Sequence, residues 1–179
     1  MTWILTHTGK KFFPLDPNPS AVDIEDIAHA LSNICRFTGH SNHFYSVAEH
    51  SLFVADLLPR HLKLAGLLHD ASEAYICDVA SPVKPYLVNY AAAEDALMSA
   101  VGKAFGVEKE LFHHSAVKHV DKIAGYVEML LLMPNYDIKN EILGPEEKKL
   151  AQLYADRLYI RSRQETKAAF LNRYKELTQ

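Results

Sequence analysis

From Asp23 onward, apolar residues return every three or four positions, a period that admits little besides packed helices. Ile24, Ile27, Leu31 and Ile34 form the first such stripe. The β-branched alternation that marks strands is scarce. The pattern predicts an all-α fold, a bundle of about six to eight helices joined by short turns. The first helix is expected to begin near Asp23, behind a weak capping box at Ser20–Asp23, and to run out near Gly39. A second should cover about Tyr45 to Leu58 and a third about Arg60 to Ile76, with Pro59 between them. A fourth spans about Tyr86 to Phe105 and stops at Gly106; a fifth spans about Ser115 to Met133 and stops at Pro134. One or two more follow Gly144-Pro145, and Ser162-x-x-Glu165 marks a fresh start.

The first 22 residues read differently. GKKFFPLDPNPS carries three prolines, so residues 1–22 should form an irregular or briefly extended lead. No repeat or linker interrupts the rest, and 179 residues suit one domain, with a core over 23–133 and C-terminal helices over 145–179. A formal net charge of -3 argues against a large nucleic-acid footprint. The two cysteines, Cys35 and Cys77, have no CxxC spacing, which disfavours a disulfide scaffold or thiolate zinc and favours a cytoplasmic setting. MTWILTHTGKKFFP lacks the pattern of a signal peptide, and no apolar run reaches membrane-spanning length.

Among ten histidines, two fall where a core should be. His50 shares the face defined by Val47, Val54 and Leu58, and His69 is bracketed by Ala65, Ser72 and Ile76. Asp121 lies on the face of Val117, Ala124 and Leu131. Asp70 follows His69 at a turn of about 100°, so both can reach a common point. Singly, each would more often be a hydrogen-bonded core residue or a helix-to-helix clasp. Together, two imidazoles and two carboxylates satisfy one another around a divalent cation, since an unpaired buried charge is costly. Imidazole ligands suit zinc, cobalt, manganese or iron better than calcium, and such an ion lowers the pKa of water.

VAEHS at 47–51, HDASE at 69–73 and VKHVD at 117–121 resemble the three signatures of the HD-domain metal-dependent phosphohydrolases. The resemblance runs from about Asp23 to Met133 and implies an HD-type helical bundle whose metal ligands are His50, His69, Asp70 and Asp121. The ion it implies is cobalt, manganese, zinc, iron or magnesium. EHS followed by HDASEAYICDVASPVK is most similar to the small nucleotide hydrolases of that superfamily, the bacterial 5′-deoxynucleotidases and the phage enzymes that cleave dATP. In these, two acids flank the attacking water, at positions that are Glu73 and Asp78 here. Helical spacing agrees for Glu73, four residues past His69 and three past Asp70. Glu73 is then the water-orienting or proton-transfer residue and Asp78 its acid partner; the alternatives are a solvated surface acid and a turn residue.

Phosphate oxygens need cations, and Arg36, Lys84 and Lys118 are candidates for a clamp. Arg36 matches an arginine that the family carries upstream of EHS, and Phe37 falls where relatives place a base-stacking aromatic, often Trp. His40 and His43 read as loop histidines that border the pocket at most. The implied activity is hydrolysis of deoxynucleotides, foremost dATP to deoxyadenosine and triphosphate. The alternatives are a 5′-deoxynucleotidase acting on monophosphates and a non-catalytic nucleotide-binding module. Tyr154, Tyr159, Phe170 and Tyr174 suggest a homo-oligomer as well as packing.

Overall fold

Caps decide where the helices begin. The computed structural model describes residues 2–133 and 144–179, so the expected stop at Pro134 lies outside the described residues. Ile4–Leu5 (β1) and Lys11–Phe12 (β2) pair as a short antiparallel hairpin that gives the N-terminal lead its order. Phe12 anchors it by stacking on Tyr75 at 3.9 Å between ring centroids. Helix α1 spans Ile24–Asn33, and its cap is Asp23, which accepts from the Glu25 N–H. The expected capping box from Ser20 is absent, because Ser20 belongs to a separate turn capped by Asn18. Helix α1 also ends six residues before Gly39, because Ile34 turns extended and the backbone of 34–36 bonds to 45–47 instead.

Helix α2 (Val47–Leu57) is the middle of the fold and touches α1, α3 (Lys63–Leu68), α7 (Ser115–Leu132) and α9 (Arg163–Thr178). Every residue from Val47 to Ala55 is buried, as expected of a helix covered on all sides. Its N-terminus carries a capping box that the sequence reading missed. Ser46 Oγ accepts from the Glu49 N–H, and the Glu49 carboxylate accepts from the Ser46 N–H. A Cβ at Gly66 would collide with Leu58, so glycine there lets α3 close onto α2.

The expected continuous third helix is interrupted. After α3, His69 and Ser72 keep helical backbone angles, but the bonds run three residues back (Ala71 to Leu68, Glu73 to Asp70, Tyr75 to Ser72) into α4 (Glu73–Ile76). That tighter winding, with about three residues per turn, is common at functional positions in helices. Helix α5 (Tyr90–Phe105) begins four residues later than expected, because Pro85 sits in a 3-10 turn and Asn89 adopts a left-handed φ of 64°. It ends, as expected, at left-handed Gly106. A single turn, α6 (Lys109–Phe112), precedes α7, and α8 (Pro145–Tyr154) and α9 complete the described chain. The Ser162 and Glu165 capping box opens α9 as expected.

The fold is therefore all-α, with only the small N-terminal hairpin in strand form among the described residues. None of the described helices is long and apolar enough to cross a membrane. One residue expected on an inward face changes place. Leu131 is exposed and Leu132 buried in its place, since helix α7 has rotated the stripe by its last turn. Phe170 is wholly buried and Tyr174 packs edge-on against Phe105, so both serve the core, while Tyr159 stays exposed.

Candidate metal centre

Three helices aim polar side chains at one point. The capping box fixes the start of α2, which sends His50 inward one turn later, where its side chain is fully buried. Close packing of α3 then brings the His69 ring to 5.2 Å from the His50 ring, centroid to centroid. Asp121 reaches the same point from α7, with its Oδ1 2.9 Å from His50 Nε2 and 3.8 Å from His69 Nε2. Asp70 Oδ2 lies 3.2 Å from His69 Nε2 and 3.7 Å from His50 Nε2.

The other ring nitrogens are committed. His50 Nδ1 lies 2.7 Å from Glu128 Oε1, and His69 Nδ1 lies 2.8 Å from the Gly66 carbonyl oxygen. A carboxylate and a carbonyl only accept, so each Nδ1 carries the hydrogen and donates it. Each Nε2 then presents a lone pair to carboxylate oxygens, and neither buried Nε2 is satisfied by a well-aligned hydrogen bond. Lone pair against anion is repulsive unless a proton or a cation stands between them. Formal charges point the same way: Asp70, Asp121 and Glu128 against Arg36 leave two negative charges, which a divalent ion cancels. His50, His69 and Asp121 have ligand atoms within 4.8 Å of one another and could hold a metal ion. The donor set, imidazole nitrogen with carboxylate oxygen, fits such an ion.

The ionisation of these groups follows. Burial and Arg36 disfavour a charged His50, yet Glu128 and Asp121 outweigh them and hold its pKa up at about 10. For His69, burial is likewise outweighed by Asp70 and Asp121, which raise its pKa. Burial opposes a charged Asp121, but the His50 and His69 imidazoles that face its carboxylate hold it well below the usual carboxylate range. A proton held on His50 Nε2 thus stands where a metal would bind. Metal uptake at neutral pH is therefore expected to release protons, read by calorimetry in buffers of differing ionisation enthalpy. A heat independent of buffer would contradict this.

Glu73 opens α4 beside the cluster and is 4% exposed, which removes the surface-acid alternative. Its Oε2 has no hydrogen-bond partner among the described residues. Burial, together with Asp70 and Asp78, pushes its pKa up to about 10 against the pull of Lys84 and Arg36. Asp78 is half-buried and also raised, by burial first. It lines a cleft of about 510 Å³ with Arg36, Phe37 and His40. Phe37, Thr38 and Gly39 all have left-handed φ, of 54°, 53° and 80°, which turns Phe37 back over the Arg36 guanidinium at 5.3 Å. His69, Asp70, Asp121 and Lys118 line a second cleft, of about 290 Å³, on another side of the cluster.

The expected cations fare unequally. Lys118 is exposed in the second cleft, as a phosphate-binding lysine would be. Lys84 is not free: its Nζ lies 2.9 Å from Glu94 and 3.8 Å from Glu73. Arg36 is turned inward, with Nε 3.0 Å from Glu128 and Nη1 3.9 Å from Asp70. His40 reaches the cleft rim, whereas His43 stays an exposed loop residue.

The chain is 38% identical over 123 residues to the uncharacterized protein YfdR of Escherichia coli, covering 69% of this chain and 68% of YfdR. The chain belongs to the YfdR family. A second member, the uncharacterized protein RCAP_rcc00048 of Rhodobacter capsulatus, is 34% identical over 185 aligned residues, with 96% of this chain and 93% of that protein covered. No protein-family model matches the chain.

In this YfdR-family chain, the residue that sequence reasoning missed is Glu128. It is wholly buried and bonded to His50, Arg36 and the Tyr45 hydroxyl. A signal existed: Glu128 lies seven residues after Asp121 and four after Ala124, on the same inward face of α7.

Proposed function

We propose that the chain is an HD-type, metal-dependent phosphohydrolase acting on deoxynucleotides. The convergence of His50 Nε2, His69 Nε2 and Asp121 Oδ1 beside the buried Glu73 carboxyl, whose Oε2 makes no hydrogen bond among the described residues, carries this reading. His50, His69 and Asp121 would hold the ion, with Asp70 as the fourth ligand. When bound, a divalent ion supplies Lewis-acid chemistry: it acidifies water and stabilises charge on a phosphate oxygen.

The remaining roles belong to the protein. Glu73 orients the attacking water and moves a proton, and its burial beside Asp70 and Asp78 raises its pKa. Asp78, raised in the same way and facing the cleft, is its acid partner on the leaving-group side. Phe37 offers a flat apolar face for a nucleobase at the wall of that cleft. Lys118 meets phosphate oxygens in the second cleft.

The sharpest form is hydrolysis of dATP to deoxyadenosine and triphosphate. One observation favours the alternative, a 5′-deoxynucleotidase acting on monophosphates. Lys84 and Arg36 already face carboxylates, so two of the three cations expected for a polyphosphate are engaged within the protein. Incubating the chain with dATP or dAMP in Mn²⁺, Co²⁺, Zn²⁺ or Mg²⁺, with products resolved by chromatography, tests both. Triphosphate from dATP supports the first form, and phosphate released from dAMP alone supports the second. Nucleotide binding without hydrolysis in all four ions would overturn both in favour of a non-catalytic module.

A further inference from the structure

We infer that Glu128 is the positioning residue of the metal centre: it sets which nitrogen of His50 faces the ion and thereby sets metal affinity. The inference rests on reading His50 as a ligand. The Glu128 carboxylate is wholly buried and each oxygen is committed. Oε1 accepts from His50 Nδ1 at 2.7 Å and from the Tyr45 hydroxyl at 3.1 Å. Oε2 accepts from Arg36 Nε at 3.0 Å. One side chain on α7 thus holds the His50 ring of α2 and the guanidinium that lines the cleft with Phe37 and Asp78.

A plain clasp between helices would need only that bonds be made. This arrangement also decides a tautomer. An acceptor against Nδ1 keeps the hydrogen there and leaves Nε2 as the bare nitrogen that faces Asp121 and Asp70. Glu128→Gln keeps the shape but has only one oxygen to offer. The charged Arg36 claims that oxygen, and the amide NH₂ then meets His50 Nδ1. Two donors cannot face each other, so the hydrogen moves to Nε2 and the nitrogen needed for a metal is blocked. Tyr45→Phe is the control, since it removes one neutral bond to Oε1 and leaves both the charge and the His50 contact.

Titration of the full chain with Mn²⁺, read by electron paramagnetic resonance, measures the affinity directly. Glu128→Gln is expected to weaken binding by about 10–100-fold, the usual effect of removing a partner that orients a metal-binding histidine. Tyr45→Phe is expected to change it by less than about threefold. Equal affinities in wild type and Glu128→Gln would overturn the inference while leaving the metal reading intact. No Mn²⁺ binding by the wild type would overturn both. Long-range ¹⁵N–¹H spectra of the zinc-loaded wild type give a readout that needs no variant to fold. His50 should carry its hydrogen on Nδ1, and a hydrogen on Nε2 would overturn the inference.

Discussion

His69→Ala is expected to strip the chain of metal and of hydrolysis together. His69 contributes one of the two Nε2 atoms of the cluster, and its ring is anchored through Nδ1 to the Gly66 carbonyl. Where four ligands share roughly 10–16 kcal/mol of binding, losing one costs about 3 kcal/mol, or on the order of 10²-fold in affinity. The fold should survive, because the ring's hydrogen bond goes to the Gly66 carbonyl one turn back in the same segment and not to another helix. Metal content after desalting, measured by mass spectrometry, and product release from dATP and dAMP are the two readouts. A variant that keeps full activity with no metal would remove the site.

Glu73→Gln should give the opposite pairing: metal retained, turnover slowed by about 10²–10⁴-fold, the range for loss of a general acid–base group. An unchanged kcat would end the role assigned to Glu73. A second consequence concerns pH. In the metal-free chain Glu73 has a pKa of about 10, against an ordinary value of 4.5, so the folded state keeps a proton that the unfolded state has released. Its contribution to stability is then full below about pH 4.5 and falls as pH rises toward 10. An amide cannot ionise, so Glu73→Gln should flatten the dependence of the unfolding midpoint on pH across that window. Parallel curves for both proteins would show that Glu73 is not held protonated.

The two variants separate the halves of the proposed chemistry. One removes a ligand and leaves the proton carrier; the other does the reverse. Glu128→Gln belongs with neither, because it touches no ligand atom that faces the ion and is expected to act through the His50 ring. If Glu128→Gln lowered turnover without lowering metal affinity, Arg36 rather than His50 would be the group through which it acts.

What could be read before folding was local. The period of the apolar residues reports helix faces, because residues three and four apart stack on one side, and that spacing placed His50, His69 and Asp121 inward. Gly106 and the pair Ser162 and Glu165 mark helix ends for reasons contained within a few residues. A briefly extended lead was legible, but its pairing into a hairpin and the break after Leu68 were not, since both depend on what the segment packs against. Partner choice was the larger gap. Arg36 read as a free cation until Glu128, 92 residues away, took it, and Lys84 until Glu94 did. The apolar period alone is enough for an all-α chain with two imidazoles on core-facing stripes and two carboxylates on or beside those stripes. That their unbonded nitrogens and oxygens meet at one point, with Glu128 behind them, comes from how α2, α3 and α7 pack and not from the spacing within any one of them.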